Sequence, residues 1–175
     1  MLKSIKNKSV EKAVVTCLKK RTPYVGTIRL NKIAVVTDVR QNIDLSSLQQ
    51  FAHEFAIDLD KFSVVAFKDQ KQEVADIDNM NVIYYSDADF SITGDINTTS
   101  LRDFVNDETI DVLINFYDNE DPYLNFVASA SKAKFKVGFA CVNNGINDLV
   151  LGVSYSKQDL FVSELKKYLK ILEII

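Results

Sequence analysis

The sequence Thr-Ile-Asp-Val-Leu-Ile-Asn-Phe-Tyr at residues 109–117 leads through an acidic turn to Asp-Pro at 121–122, and then to Lys-Phe-Lys-Val-Gly-Phe-Ala at 134–140. The first run is apolar on both faces, the Asp-Pro pair is a typical helix start, and the last run repeats the strand pattern. A strand, a capped helix and a second strand form the unit of a parallel sheet. This stretch therefore decides the architecture, although it does not decide a reaction.

Short apolar runs elsewhere predict further strands at residues 32–37, 62–67, 81–85 and 148–153. The amphipathic stretches between them predict helices. The expected fold is an α/β, three-layer, doubly wound domain of the Rossmann or flavodoxin kind, with a mainly parallel sheet. Its central strands should include 32–37 and 110–116. The residues predicted to begin helices are Asp44 or Ser46, Ser100, Asp121 and Ser156.

The last two predicted strands are separated by a short connection. It has about nine residues, which is too few for a helical crossover between parallel strands. The sequence Asn-Asn-Gly at 143–145 is a turn signal within it. We therefore expect one antiparallel edge strand in the sheet.

The composition is that of a globular chain, with 175 residues of which 47% are hydrophobic and 26% charged, and it predicts a single domain over residues 1–175. The apolar runs are far too short to span a membrane, and no secretory signal follows the basic start. Cys17 and Cys141 lie far apart without metal-ligand spacing, so we expect two reduced thiols and a cytoplasmic location.

Charge is distributed unevenly along the chain. Residues 1–21 hold seven basic groups and one acidic group, a net charge of +6 in a chain whose net charge is −3. Apolar spacing predicts a basic amphipathic N-terminal helix over about 4–20. Such a helix can bind a membrane surface, nucleic acid or an acidic partner, or it can lie on the acidic body and partly neutralise it. The residues expected to pack on the domain are Ile5, Val14, Cys17 and Leu18.

The common catalytic motifs are missing from the sequence. The turn at residues 38–44 has no glycine and two carboxylates, so it does not suit a dinucleotide phosphate. There is no Walker loop, nucleophile elbow or zinc-binding HExxH, and the single histidine, His53, falls on the polar face of its helix. A phosphoacceptor receiver needs a hydroxyl and a lysine after the later strands, which Tyr117 and Lys136 do not supply. We therefore assign no catalytic residue, no cofactor and no metal.

Polar residues follow the predicted strands at their carboxyl ends, where ligands bind in doubly wound sheets. Asp118, Glu120 and Asp121 could hold Mg²⁺ or Ca²⁺ together with Asp38, or they could solvate a turn and cap a helix. Carboxylates outnumber the guanidinium of Arg40, which favours a metal-bridged or polyhydroxylated ligand over a bare phosphate. The candidate ligand-binding residues are Asp38, Arg40, Asp87, Tyr117, Asp118 and Asn119.

Two resemblances rest on the residues already quoted. Residues 111–117, 122–125 and 129–139 resemble a bacterial family of short, uncharacterised α/β proteins, a likeness that spans nearly the whole chain and implies no known activity. Asp-Val-Leu-Ile at 111–114, a small-residue helix and Lys-Val-Gly-Phe at 136–139 are similar to the N-terminal half of heptosyltransferase-like glycosyltransferases. Those enzymes bind the nucleotide-sugar in a second, C-terminal domain, which we do not expect to find within these 175 residues. Gly138 could equally be a packing glycine under a crossing helix.

Two classes of function remain. One is a non-catalytic interaction or regulatory domain with a protein partner, and the other is a small-molecule-binding or glycosyltransferase-related domain with a site at the carboxyl edge. Lys132, Lys134 and Lys136 invite a nucleic-acid partner, which the acidic chain as a whole opposes. The closing helix carries more apolar residues than one face needs, which favours a homodimer through it or docking against the first helix.

Overall fold

The computed structural model describes residues 2–74, 77–142 and 145–175 of the chain. The strands are β1 (Ile33–Asp38), β2 (Phe62–Phe67), β3 (Asn81–Tyr85), β4 (Val112–Phe116), β5 (Phe135–Phe139) and β6 (Leu149–Leu151). They form one sheet in the order β3-β2-β1-β4-β5-β6, and every neighbouring pair is parallel. The predicted α/β, doubly wound class is confirmed. The central position of β1 and β4 agrees with their apolar runs, which suit burial on both faces.

Helices cover both faces of this sheet. They are α1 (Leu2–Lys20), α2 (Gln49–Glu54), α3 (Thr99–Val105), α4 (Pro122–Ala130) and α5 (Gln158–Ile171). Successive residues of a strand point to opposite faces. Ile33 and Val35 accordingly pack in a core with α2 and α5, whereas Ala34 and Val36 pack in a second core with α1, α3 and α4. The sheet is thus the middle layer of three.

The predicted antiparallel edge strand is wrong, because β6 runs parallel to β5 with Val137 opposite Leu149. The described residues of the connection, 140–142 and 145–148, contain no helix. Nine extended residues reach about 30 Å, whereas a five-residue strand is about 17 Å long, so an extended return is sufficient. Val142 and Ile146 are buried in the α1 and α4 core along the way. The turn predicted at 143–145 falls partly on Asn143 and Asn144, which lie outside the described residues.

Gly138 is a packing glycine under this returning chain rather than under a helix. A Cβ on Gly138 would lie 2.5 Å from Asn147 Nδ2. Asn147 is buried there, and its Oδ1 accepts a hydrogen bond of 2.7 Å from Asn115 Nδ2 on β4. The missing side chain of Gly138 therefore makes room for the crossover to lie flat on the sheet.

Two predicted helix starts are confirmed and two are wrong. Asp121 caps α4 ahead of Pro122, and Asp44 caps a 3-10 helix, Leu45–Leu48, that leads into α2. Helix α3 begins after Thr98 rather than at Ser100, and α5 begins after Lys157 rather than at Ser156. Neither of these two N-cap residues makes a side-chain cap. Thr98 Oγ1 donates instead to Asp89 Oδ1 at 2.7 Å.

Helix α1 packs on the domain against α4, as its apolar stripe predicts. Val10 and Val14 are buried, whereas Ile5 is 46% exposed and does not belong to the packed face. Tyr123 Oη donates to Asn7 Oδ1 at 2.8 Å and joins the first half of α1 to α4. Helix α5 packs on the other face of the sheet, so its expected docking against α1 is wrong.

Candidate functional site

The order of strands reverses between β1 and β4, so the crevice beyond their carboxyl ends is where this fold binds ligands. The structure brings three of the predicted site residues into direct contact there. Asp38 ends β1, Arg40 lies in the 3-10 turn that follows it, and Asn119 belongs to the loop after β4. The carboxyl ends of parallel strands lie at the same edge of a sheet. Asp38 and Asn119 therefore meet although they are about 80 positions apart in the chain.

The Asp38 carboxylate is the centre of this cluster and is only 1% exposed. Its Oδ1 accepts from the backbone N–H of Arg40 at 3.0 Å and from Arg40 Nε at 2.8 Å. Its Oδ2 accepts from Arg40 Nη2 at 2.7 Å and from Asn119 Nδ2 at 3.1 Å. Four donors therefore satisfy a carboxylate that burial would otherwise make costly.

Arg40 joins this carboxylate to the helix on the other side of the crevice. Its Nη2 also donates to Asp121 Oδ2 at 2.8 Å, while Asp121 Oδ1 caps the first turn of α4. Its guanidinium lies 4.3 Å from the ring centroid of Phe67. The hydrogen bond to Asp38 raises the pKa of Arg40 above its usual value. The guanidinium therefore stays charged although its side chain is only 27% exposed.

The other predicted site residues are engaged separately. Tyr117 is buried and donates to Asn125 Oδ1 at 3.1 Å, and desolvation raises its pKa well above the usual value. Asp87 lies after β3 and accepts from Gln70 Nε2 at 2.7 Å. Asp118 is exposed and accepts from Gln41 Nε2 at 3.0 Å. These three residues are placed around the edge, but they do not share one ligand position with Asp38.

The carboxylates considered as cation ligands are also dispersed. Asp38 and Asp121 both bind Arg40, and Glu120 Oε2 accepts from Asn125 Nδ2 at 2.6 Å. Among the described residues, no group of three or more His, Cys, Asp or Glu could hold a metal ion. The edge as it stands is a set of internal ion pairs and helix caps.

Two amide oxygens at this edge lack a partner and were not predicted. Gln41 and Asn119 each donate their amide N–H to a carboxylate, on Asp118 and Asp38 respectively, which fixes which way each amide points. Gln41 Oε1 and Asn119 Oδ1 are then buried without a hydrogen-bond partner in the described structure. A buried acceptor in this state favours a donor-bearing molecule or an ordered water beside it.

An open groove of about 830 Å³ lies at the opposite, amino edge of the sheet. It is formed where α1 ends, where α4 ends and where β5 begins. The sequence does not predict this groove, because the three segments are far apart in the chain. The only local signal is that residues 19–21 (Lys-Lys-Arg) and 132–136 (Lys-Ala-Lys-Phe-Lys) are both basic. Its charged lining residues are Lys20, Arg21, Lys132, Lys134, Lys136, Glu108 and Asp148.

Lys136 lies at the base of this groove and is 3% exposed. Its Nζ donates to the carbonyls of Ala128 and Ser129 at 2.8 and 3.1 Å, which are orphan acceptors at the end of α4. Burial lowers the pKa of Lys136 to about 8. Cys17 also lines the groove, and burial raises the pKa of its thiol. Lys136 thus caps a helix C-terminus while adding positive charge below the groove.

Three of the remaining cations of the groove form pairs at its margins. Arg21 Nη2 contacts Asp148 Oδ1 at 2.5 Å, and Lys134 Nζ contacts Asp111 Oδ1 at 2.6 Å. The hydrogen bond that Lys134 donates to the Asp111 carboxylate raises the pKa of Lys134. Lys132 contacts the exposed Glu108 at 3.3 Å, a surface pair that contributes little to stability.

The fold and its edge cluster define an α/β protein with a six-stranded parallel sheet. The chain belongs to a family of unknown function, DUF6913, whose model matches residues 6–172. No curated protein and no solved structure matches the chain. The bacterial origin and the similarity to heptosyltransferase-like glycosyltransferases therefore stay predictions. In the described part of the chain, no helix is long and apolar enough to cross a membrane.

Proposed function

We propose that this chain is a non-catalytic interaction domain that binds an acidic polypeptide segment in the groove at the amino edge of its sheet. The observation that carries the proposal is the contrast between the two edges. At the carboxyl edge, the space beside Phe67 is occupied by Arg40 and by its two carboxylate partners from the same chain. At the amino edge, the groove is open to solvent.

Charge is the first support for an acidic partner. Five cationic and two acidic side chains line the groove, a formal net charge of +3 in a chain whose formal net charge is −3. The C-terminal ends of α1 and α4 also lie at the groove, and the dipole of each helix contributes roughly half a negative charge there. Asp111, which pairs with Lys134, removes one more charge, so the groove keeps a net positive charge of roughly +1 and attracts carboxylates.

Apolar side chains at the rim favour a polypeptide over a free ion. Tyr24 and Val25 line the groove beside Pro23, and Val25 is 94% exposed. Lys134 Nζ lies 5.9 Å from the Tyr24 ring centroid, which keeps the aromatic ring beside the cations. An acidic segment that also carries apolar side chains would cover this rim while its carboxylates meet the lysines.

A direct binding measurement tests the proposal. The probe is a short fluorescein-labelled peptide rich in glutamate with one tryptophan, titrated with protein and followed by fluorescence anisotropy. The Lys20→Glu/Lys132→Glu variant should weaken binding by about tenfold or more, equivalent to about 1.4 kcal/mol. The matched control, Lys71→Glu/Lys157→Glu, makes the same change in charge at exposed positions outside the groove and should bind as the wild type does.

Binding should also weaken as salt is raised, because the attraction is between exposed charges. Equal binding by wild type and the groove variant would refute the groove as the binding surface. Failure of wild type to bind the peptide at about 1 mM would refute an acidic polypeptide as the partner. Tighter binding of a single-stranded oligonucleotide at the same salt concentration would reassign the groove to nucleic acid.

A second candidate is a small-molecule site at the carboxyl edge, in a domain related to glycosyltransferases. The unpartnered Gln41 Oε1 and Asn119 Oδ1 favour it, because hydroxyls of a polyhydroxylated ligand would donate to both. Thermal shift with sugars and nucleotide-sugars, with and without Mg²⁺, is the test. A shift that Asn119→Ala abolishes and Gln70→Ala preserves would support this candidate, and an unchanged melting temperature with every compound would exclude it.

A further inference from the structure

The outward side of α5 carries an ordered stripe of four residues. Leu160, Glu164, Lys167 and Ile171 follow one another at spacings of four, three and four residues, which places them on one side of a helix. Leu160 is 44% exposed and Ile171 is 65% exposed. The opposite side of the same helix is buried in the core through Phe161, Leu165 and Leu169. The stripe therefore faces away from the domain.

The stripe is complementary to itself when two copies of α5 meet antiparallel. With a two-fold axis midway between residues 165 and 166, Leu160 of one copy lies opposite Ile171 of the second copy. Glu164 then lies opposite Lys167 of the second copy, and both contacts occur twice. This is the self-complementary pattern that a two-fold interface requires. A parallel pairing in register would instead place glutamate against glutamate and lysine against lysine.

We propose that this stripe is a homodimer interface in which two α5 helices pair antiparallel across a two-fold axis. Within one chain, Lys167 Nζ lies 3.7 Å from Glu164 Oε2, and these side chains are 61% and 33% exposed. Such a surface pair is weak, so either group can exchange its partner for one in the second copy. Burying Leu160 and Ile171 on both sides adds the apolar contribution.

Helix α5 is held firmly enough to present the stripe. Gln158 Nε2 donates to the carbonyl of Ser47 at 2.9 Å, Gln50 Nε2 donates to Asp159 Oδ1 at 2.8 Å, and Lys166 Nζ lies 3.3 Å from Glu54 Oε2. Pairing thus orders few additional groups. A helix of 14 residues is about 21 Å long, so the interface is small and the dimer should be weak.

Sedimentation velocity from about 10 µM to about 1 mM tests the interface, since a weak dimer forms across this range. Wild type should shift from monomer to dimer as concentration rises. Glu164→Lys and Lys167→Glu should each remain monomeric, because every interfacial pair then joins like charges. An equimolar mixture of these two variants should dimerise, since each lysine of one chain meets a glutamate of the other.

The double variant Glu164→Lys/Lys167→Glu should dimerise as wild type does, because it restores both opposite-charge pairs. Its recovery also excludes misfolding as the cause of the single-variant result. Lys71→Glu, at an exposed position in the segment that follows β2, is the control and should leave dimerisation unchanged. A wild type that stays monomeric throughout the range, or a mixture of single variants that stays monomeric, would overturn the proposal. Neither result bears on peptide binding in the groove.

Discussion

Replacement of Arg40 by methionine tests whether the carboxyl edge is held together by its internal ion pairs. The Arg40→Met variant keeps an unbranched side chain over the Phe67 ring but removes the guanidinium from two carboxylates. Asp38 is then a buried carboxylate that has lost two side-chain donors. Breaking a buried pair in this way costs about 3–5 kcal/mol. Because a domain of this size has about 5–15 kcal/mol of stability in total, the loss should be large.

Urea unfolding followed by circular dichroism measures the change as a shift of the transition midpoint. The matched control is Lys132→Met, which removes a cation from an exposed pair and should change the free energy of unfolding by about 0.5 kcal/mol or less. In the double variant Asp38→Asn/Arg40→Met, no buried charge is left without a partner at Asp38, so its loss should be smaller than the sum of the two single losses. An Arg40→Met variant within about 1 kcal/mol of wild type would refute this account of the edge.

Two further predictions concern residues of β5, the strand that follows α4. Burial lowers the pKa of Lys136 from 10.5 to about 8. Between these two pH values, Lys136 is protonated in the unfolded chain but not in the folded chain. The free energy of unfolding should therefore rise with pH in this range. The test is urea unfolding of wild type and Lys136→Met at pH 8 and at pH 10. Between these pH values, the free energy of unfolding of wild type should rise by on the order of 1–2 kcal/mol relative to that of the variant. The same pH dependence in both proteins would contradict this prediction. Gly138→Ala should destabilise the protein by about 1–3 kcal/mol, because the new Cβ would lie 2.5 Å from Asn147 Nδ2. Gly152→Ala, which meets nothing within 4 Å, is its control in a thermal melt, and equal melting temperatures for the two variants would be the contrary result.

The strands that could be predicted from the sequence are those with continuous apolar runs. β1 and β4 are buried on both faces, and their largely apolar composition predicts that burial. The direction of β6 could not be predicted, because connection length suggested a hairpin while the return path depends on the buried loop residues Val142 and Ile146. Loop residues that pack on a sheet follow neither a helical nor a strand period.

Candidate site residues were predictable where strand ends decide their position. Asp38 and Asn119 meet because β1 and β4 are parallel neighbours, and Arg40 follows from the same turn. Tyr117 could not be placed from sequence, since whether a residue just after a strand faces the crevice or the core depends on the packing of α4. The amino-edge groove is assembled from three distant segments, so no local pattern marks it.

The order of the strands has a consequence for how the chain folds during synthesis. β1 pairs with β2 and β4, yet the residues of β4 leave the ribosome almost 80 positions after those of β1. Until then the nascent chain can form β1, β2 and β3 with one side of an apolar central strand uncovered. Such an uncovered edge is a template for pairing with another chain, and sheets built from distant strands form slowly. We therefore expect truncated chains that end before residue 112 to aggregate, and chaperones that shield unpaired strands to act on this protein during its synthesis.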